Sequence, residues 1–295
     1  SVTKMFLGLT NGVIGNSALA LLAGGLTPYP ALLTQIRRES DIPVRCLMRP
    51  RPGDFLYTAE ELELMRTQIH ALKQAGADGF VIGCLTADGN LDTAAMQPLV
   101  DACAGCGITL HRCIDVSADL PQTYRDAMTL GIDTVLTSGG AGNCLASMET
   151  IGKMLSAKGP QVLIGAGVKA SVIAEFLRQV PGARAFHMSG KTEMESGMRF
   201  RREGVPMGLP GLDEWHIQQT DVNAVAAKFV LAEADKVPAS MNQATVTLKN
   251  GSTMDCKNGG FTYGESAAIS VDSTSAIIGK GGEAFKLPVA KIGSK

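Results

Sequence analysis

The sequence predicts a parallel (β/α) barrel of the TIM type with a small all-β module behind it. Three observations predict it. Short apolar strands alternate with amphipathic helices six times over residues 42–189, with short connections. The strands are apolar almost throughout, as strands covered on both faces are. Polar and glycine-rich residues gather after every strand: Arg49 to Asp54, Thr86 to Asp88, Asp115, Ser138 to Gly142, Gly165 to Gly167, and Ser189 to Lys191. A doubly wound sheet concentrates such residues at one switch point, whereas a barrel distributes them around its C-terminal rim.

The elements come in order. Residues 30–40 carry apolar residues at helical spacing behind Pro30. Residues 42–50 read as a strand that runs into the loop Arg49-Pro50-Arg51-Pro52-Gly53-Asp54. Residues 59–75 form a helix opened by Thr58 and closed by Gly76. Residues 79–85 are a strand and 92–104 a helix. Residues 109–115 are expected to be a strand, so that His111, Cys113 and Asp115 share one face. Helices at 120–130, 144–156 and 171–179 alternate with strands at 133–138, 161–164 and 183–189. The stretch 193–209 is expected to be a long rim loop, and 221–234 a last helix.

From Pro238 the composition changes. Residues 244–248 alternate, Asn250-Gly251 and Asn258-Gly259 are hairpin turns, and 253–256, 267–272 and 275–279 look like strands. The expected organisation is a barrel over 1–237 and a β-rich module over 238–295. A module that small is near the lower limit for independent stability. It is expected to pack on the barrel or on another copy of the chain, so a homo-oligomer is expected.

Composition excludes some functions. The formal net charge is −1, so no global basic field attracts nucleic acid or anionic lipid, and the few aromatics are not interleaved with the basic run Arg199 to Arg202. No apolar run is long enough to span a membrane, and no clear signal peptide opens the chain. Seven cysteines, an odd and scattered number, do not suggest a disulfide framework, and a cytoplasmic location is the expectation.

Several stretches together resemble the copper homeostasis protein CutC family. They are Gly24-Gly25-Leu26-Thr27-Pro28, residues 48–57 (Met-Arg-Pro-Arg-Pro-Gly-Asp-Phe-Leu-Tyr), Gly76-Ala77-Asp78-Gly79, Leu110-His111-Arg112, Leu136-Thr137-Ser138-Gly139-Gly140, and residues 185–191 (Ala-Phe-His-Met-Ser-Gly-Lys). They occur in the family's order from Gly24 to about Glu233. The resemblance implies a TIM barrel, a cytoplasmic protein and a role in copper homeostasis through Cu(I) binding. It implies no particular reaction. The family usually places a strand, a helix and a second strand before the first of these stretches. Only about twenty residues separate Lys4 from Gly24, and a parallel crossover alone needs about a dozen. One element of the first unit is therefore expected to be absent or reshaped. Asn16 and Ala18 stand about where the family's second strand places a glutamate and a cysteine, which weakens the inherited copper site.

The residues leave two kinds of site open. For copper, Cys113 is the thiol expected inside the barrel, with His111 beside it. Soft thiolates select Cu(I), but two ligands fall short of a dedicated site. For an enzyme, Arg49, His111, Asp115 and His187 are the candidate catalytic residues. Arg49 would clamp a carboxylate, phosphate or sugar hydroxyl pair, His111 or His187 would act as general acid or base, and Asp115 would orient His111 or hold a hydroxyl. Arg51, Asp54, Ser138, Gly139, Gly140, Gly165, Ser189 and Lys191 are the candidate ligand-binding residues, with the glycine loops offering N–H groups to an anion. The expected partner is a small polar molecule, sugar-like or phosphorylated, or a metal ion.

Overall fold

A computed structural model describes residues 25–189, 193–202, 204–205 and 215–217. At 13–15, 191–192, 218–220, 244–247, 253–257, 260–262, 276–279 and 284–286 it describes the backbone alone. Seven parallel strands form one sheet in sequence order: β1 (Val13–Gly15), β2 (Val44–Leu47), β3 (Gly79–Ile82), β4 (Gly107–Leu110), β5 (Thr134–Thr137), β6 (Gln161–Ile164) and β7 (Ala185–Phe186). Each strand pairs with the next one in the chain. Crossovers of constant hand therefore keep all helices on one side, and the sheet curls around its other face. The order never reverses, so this is an incomplete TIM-type barrel and not a doubly wound sheet.

Among the described residues six helices cover the outside: α1 (Pro30–Glu39), α2 (Ala59–Gln74), α3 (Thr93–Ala102), α4 (Leu120–Thr129), α5 (Met148–Ser156) and α6 (Ala170–Gln179). Their local causes are plain in α2. Thr58 and Glu61 form a capping box, Met65, Ile69 and Leu72 line the buried stripe, and Gly76 leaves the helix at φ +97°. Asp92 and Asp119 cap α3 and α4 in the same way through their carboxylates. The helix stripes meet the outward residues of the strands, among them Cys46, Phe80, Ile82, Ile108 and Leu110.

Register decides which residues face the interior. Arg45, Gly79 and Gly107 stand side by side, and one step up Leu47, Val81 and Thr109 do so. Two residues further on lie Arg49, Gly83 and His111. The bottom layer is polar. Arg45 donates to Thr109 Oγ1 at 2.8 Å and pairs with Asp133 at 2.6 Å. It lies across two glycines that have no room for a side chain: a Cβ on Gly107 would come within 2.6 Å of its Nη2, and one on Gly79 within 2.8 Å of its Cγ.

The first unit is represented by β1, which pairs with β2 from Val13 to Gly15; Asn16 and Ala18 lie outside the described residues. The expected loop over 193–209 is corrected at its start. Residues Lys191–Glu195 form β8, which pairs antiparallel with β9 (His216–Thr220). Its partner lies over twenty residues away, beyond the reach of a local pattern. The expected helix at 221–234 and the strand at 267–272 lie outside the described residues. In the tail, β10 (Ala244–Thr247), β11 (Thr253–Lys257), β12 (Gly260–Thr262), β13 (Ala276–Gly279) and β14 (Ala284–Lys286) pair antiparallel in the order β12-β11-β10-β13-β14. Lys257 pairs with Gly260 across the Asn258-Gly259 turn.

Candidate functional site

The polar residues at the barrel rim fall into two linked groups. The first surrounds His111. Arg49, 8% exposed, donates through Nη1 to Gly25 O and through Nη2 to Gly53 O, both at 3.0 Å. Its backbone N–H and C=O both bond Thr27. The arginine thus ties the segment before α1 to the loop after β2. Its guanidinium carbon lies 5.5 Å from the centre of the Phe55 ring, and that ring lies 4.7 Å from the imidazole of His111.

The strand expected over 109–115 stops at Leu110, and residues Arg112–Val116 form a 3-10 turn. The cause is a side chain. His111 Nδ1 accepts the N–H of Cys113 at 3.1 Å, which caps the turn and removes that N–H from any ladder. Alternation on a strand face therefore does not relate His111, Cys113 and Asp115. The turn still keeps His111 and Cys113 together. A Cβ on Gly83 would come within 2.5 Å of both Cys113 Sγ and His111 Cε1, so this position must be glycine for the two groups to nest there.

His111 is 4% exposed, and its Nε2 is buried with no hydrogen-bond partner. Burial first, and then the Arg49 charge, push its pKa down to about 3. His187 is held down to about 4, by burial and then by Arg112. Both rings are neutral at pH 7. Near neutrality such a ring has no imidazolium proton to give as a general acid, but it keeps one N–H to donate and one lone pair to accept.

The second group surrounds Asp115, whose side chain is 4% exposed. Three residues per turn bring it next to Arg112, whose Nε donates at 2.7 Å. The Asp115 carboxylate also accepts from Thr137 Oγ1, from the N–H of Ser138 and from the N–H of Gly140. The N–H of Gly139 goes to Thr137 Oγ1 at 2.8 Å. These are amides expected to hold a ligand anion, and the protein's own groups fill them: Asp115 takes those of Ser138 and Gly140, and Thr137 takes that of Gly139. Asp115 makes no bond to His111, so the orienting role is corrected too. Ser138 Oγ is used within the same loop, by Arg112 and by Ala141 O.

The other candidates lie further out. Arg51 pairs with Asp54 at 2.9 Å and with Glu61 at 2.6 Å, bracing the loop against the start of α2. The N–H of Gly165 donates to Thr137 O, and a Cβ there would press on Leu136, so its bareness serves packing. Ser189 is exposed and Lys191 opens β8. Cys113 and Cys84 have thiols pushed up by burial, Cys84 to about 12. Among the described residues no group of three or more His, Cys, Asp or Glu is placed to hold a metal ion.

Four participants escaped sequence reasoning: Phe55, Tyr57, Gly83 and Cys84. Tyr57 has a buried hydroxyl with no partner, in electrostatic reach of Cys84, Arg49, Arg51 and Cys113. Two aromatics in a polar, proline-rich loop were the signal that could have found the first two.

Comparison with known proteins places the fold. The CutC family model matches residues 15–192. A CutC family protein of Xanthomonas campestris pv. campestris (strain 8004) is 42% identical over 170 residues, covering 57% of this chain and 70% of the relative. The mouse copper homeostasis protein cutC homolog is 35% identical over 215 residues, covering 72% and 79%. A crystal structure of a CutC protein from Streptococcus agalactiae superposes with a TM-score of 0.56 at 24% identity, covering 60% of this chain and 88% of that one, which speaks for the fold. With a matching model over more than half its length and the barrel that model implies, the chain belongs to the CutC family.

Proposed function

We propose that this chain binds a small polar molecule at the C-terminal rim of its barrel, in a site centred on His111. The observation that carries the reading is the buried, unpartnered Nε2 of that ring. A buried polar group left unsatisfied costs about 1–3 kcal/mol, which a bound ligand returns. Arg49 and Phe55 supply the charge and the ring beside it, and Gly83 lets the imidazole and the Cys113 thiol pack closely together. A neutral imidazole beside a guanidinium is suited to polarising a ligand oxygen, and enzymatic activity at this site would use it in that way. The place of action is a reducing cytoplasm, and the working form a homo-oligomer. The six described cysteines are free, which is compatible with that compartment. A thermal-shift panel of metabolites against wild type and His111→Ala tests the reading. Ligands that stabilise only the wild type support it, and a panel without His111-dependent stabilisation refutes it.

A second reading is Cu(I) binding, in line with the copper homeostasis names of the mouse and human relatives. Cys113 Sγ and His111 meet at Gly83, with Cys84 in electrostatic reach of Cys113, and thiolate suits Cu(I). The thiol would lose its proton on binding, so affinity would rise with pH. Cu(I) titration of the reduced protein against Cys113→Ser decides this: unchanged stoichiometric binding in the variant rules out the site.

A further inference from the structure

The groups around His111 also select a ligand chemistry, and this selection rests on the rim site proposed for the chain. His111 Nδ1 is an acceptor, since it takes the N–H of Cys113. The neutral ring therefore carries its proton on Nε2, and the unpartnered atom is a donor. A second buried and unpartnered polar group, the Tyr57 hydroxyl, lies in electrostatic reach of Arg49 and Cys113, the same two residues that flank His111. The two thiols nearby are protonated. The positive charge next to His111 is that of Arg49, whose two terminal nitrogens already serve Gly25 O and Gly53 O. Across Cys113 stands the carboxylate of Asp115, which has also taken the backbone amides of Ser138 and Gly140. A phosphate dianion thus finds no amide cradle here and meets a fixed negative charge. A carboxylate meets that charge with about half the repulsion of a dianion and a neutral carbonyl with none, and either needs only the one or two donors present.

We propose that lifting the 50–58 loop off His111 opens a subsite for one carbonyl or carboxylate oxygen, held by His111 Nε2–H, with Tyr57 Oη–H of the same loop as a second donor. Phe55, tilted at 42° over the imidazole, covers it. Entry therefore requires the loop to lift, and bound ligand lies out of water.

The test uses the whole chain with ¹⁵N-labelled histidine and three probes: acetate, acetamide and inorganic phosphate. Acetate and acetamide shift the His111 Nε2–H resonance saturably, and phosphate at equal concentration leaves it in place. Tyr57→Phe weakens the acetate response at least fivefold, while Lys153→Ala, on the exposed face of α5, does not. A proton found on Nδ1, or a resonance unmoved by both acetate and acetamide, overturns the proposal. If phosphate alone shifts it, the rim site stands and the ligand class assigned here is wrong. If no metabolite and no probe perturbs His111, the rim site itself falls.

Discussion

Both carboxylate oxygens of Asp115 lie 2.9 Å from the backbone nitrogen of Ser138, just past the end of the next strand of the barrel. An intramolecular anion thus occupies the glycine turn after β5. Replacing it with asparagine substitutes an amide N–H₂ for one of the acceptors and sets donor against donor. Asp115→Asn is expected to lower unfolding stability by about 2–3 kcal/mol, the range for charge-assisted bonds lost in a buried site. Urea denaturation measures it. An unchanged midpoint would show that the turn holds itself.

Gly83 has no room for even a methyl group. In Gly83→Ala the new Cβ meets a thiol and an imidazole ring, both of which are packed and cannot retreat freely. The expected loss is about 1–3 kcal/mol. The His111 resonances should move in the same variant, since the ring must give way. A stable variant with an unmoved ring would contradict the packing described.

The two rim histidines, His111 buried and His187 partly so, predict a pH dependence with a definite sign. Their folded pKa values, about 3 and about 4, lie below the unfolded value near 6.5. Between these limits the unfolded chain binds more protons. Stability is therefore full above pH 6.5 and falls as the pH drops toward 4, by up to about 1.4 kcal/mol per pH unit for each ring. Melting temperatures from pH 7.5 to 5 should fall, and His111→Gln should fall less steeply. Parallel slopes in the two proteins would mean that His111 titrates normally.

Arg49 acts as a fork with two carbonyl tines. Lysine has one ammonium and cannot reach Gly25 O and Gly53 O in the same geometry. Arg49→Lys should cost about 1–2 kcal/mol and raise amide exchange in the 50–58 loop before it does so in the strands. Uniform exchange throughout would show that the loop is anchored by other contacts.

Much of the barrel was readable because its causes are local. Alternating patterns, the Thr58–Glu61 box and the glycine after α2 act within a few residues. Arg49 and His111 were readable as rim residues because both follow their strands at inward positions. The turn at Arg112 was not, since Thr109 to Ile114 has the composition of a strand and only the His111 ring diverts it. The filling of the Ser138–Gly140 amides depends on a carboxylate over twenty residues upstream. The same is true of the Gly83 contact, where the meaning of a glycine comes from the next strand.

The Arg45–Asp133 bridge laid over Gly79 and Gly107 has a bearing on traffic through the molecule. It stops the barrel from below like a cork. His111 lies at the opposite end of the strands, under Phe55 and two layers away from this bridge. Substitutions at the cork should alter how firmly the chain holds together while leaving the speed of ligand arrival and departure where it was.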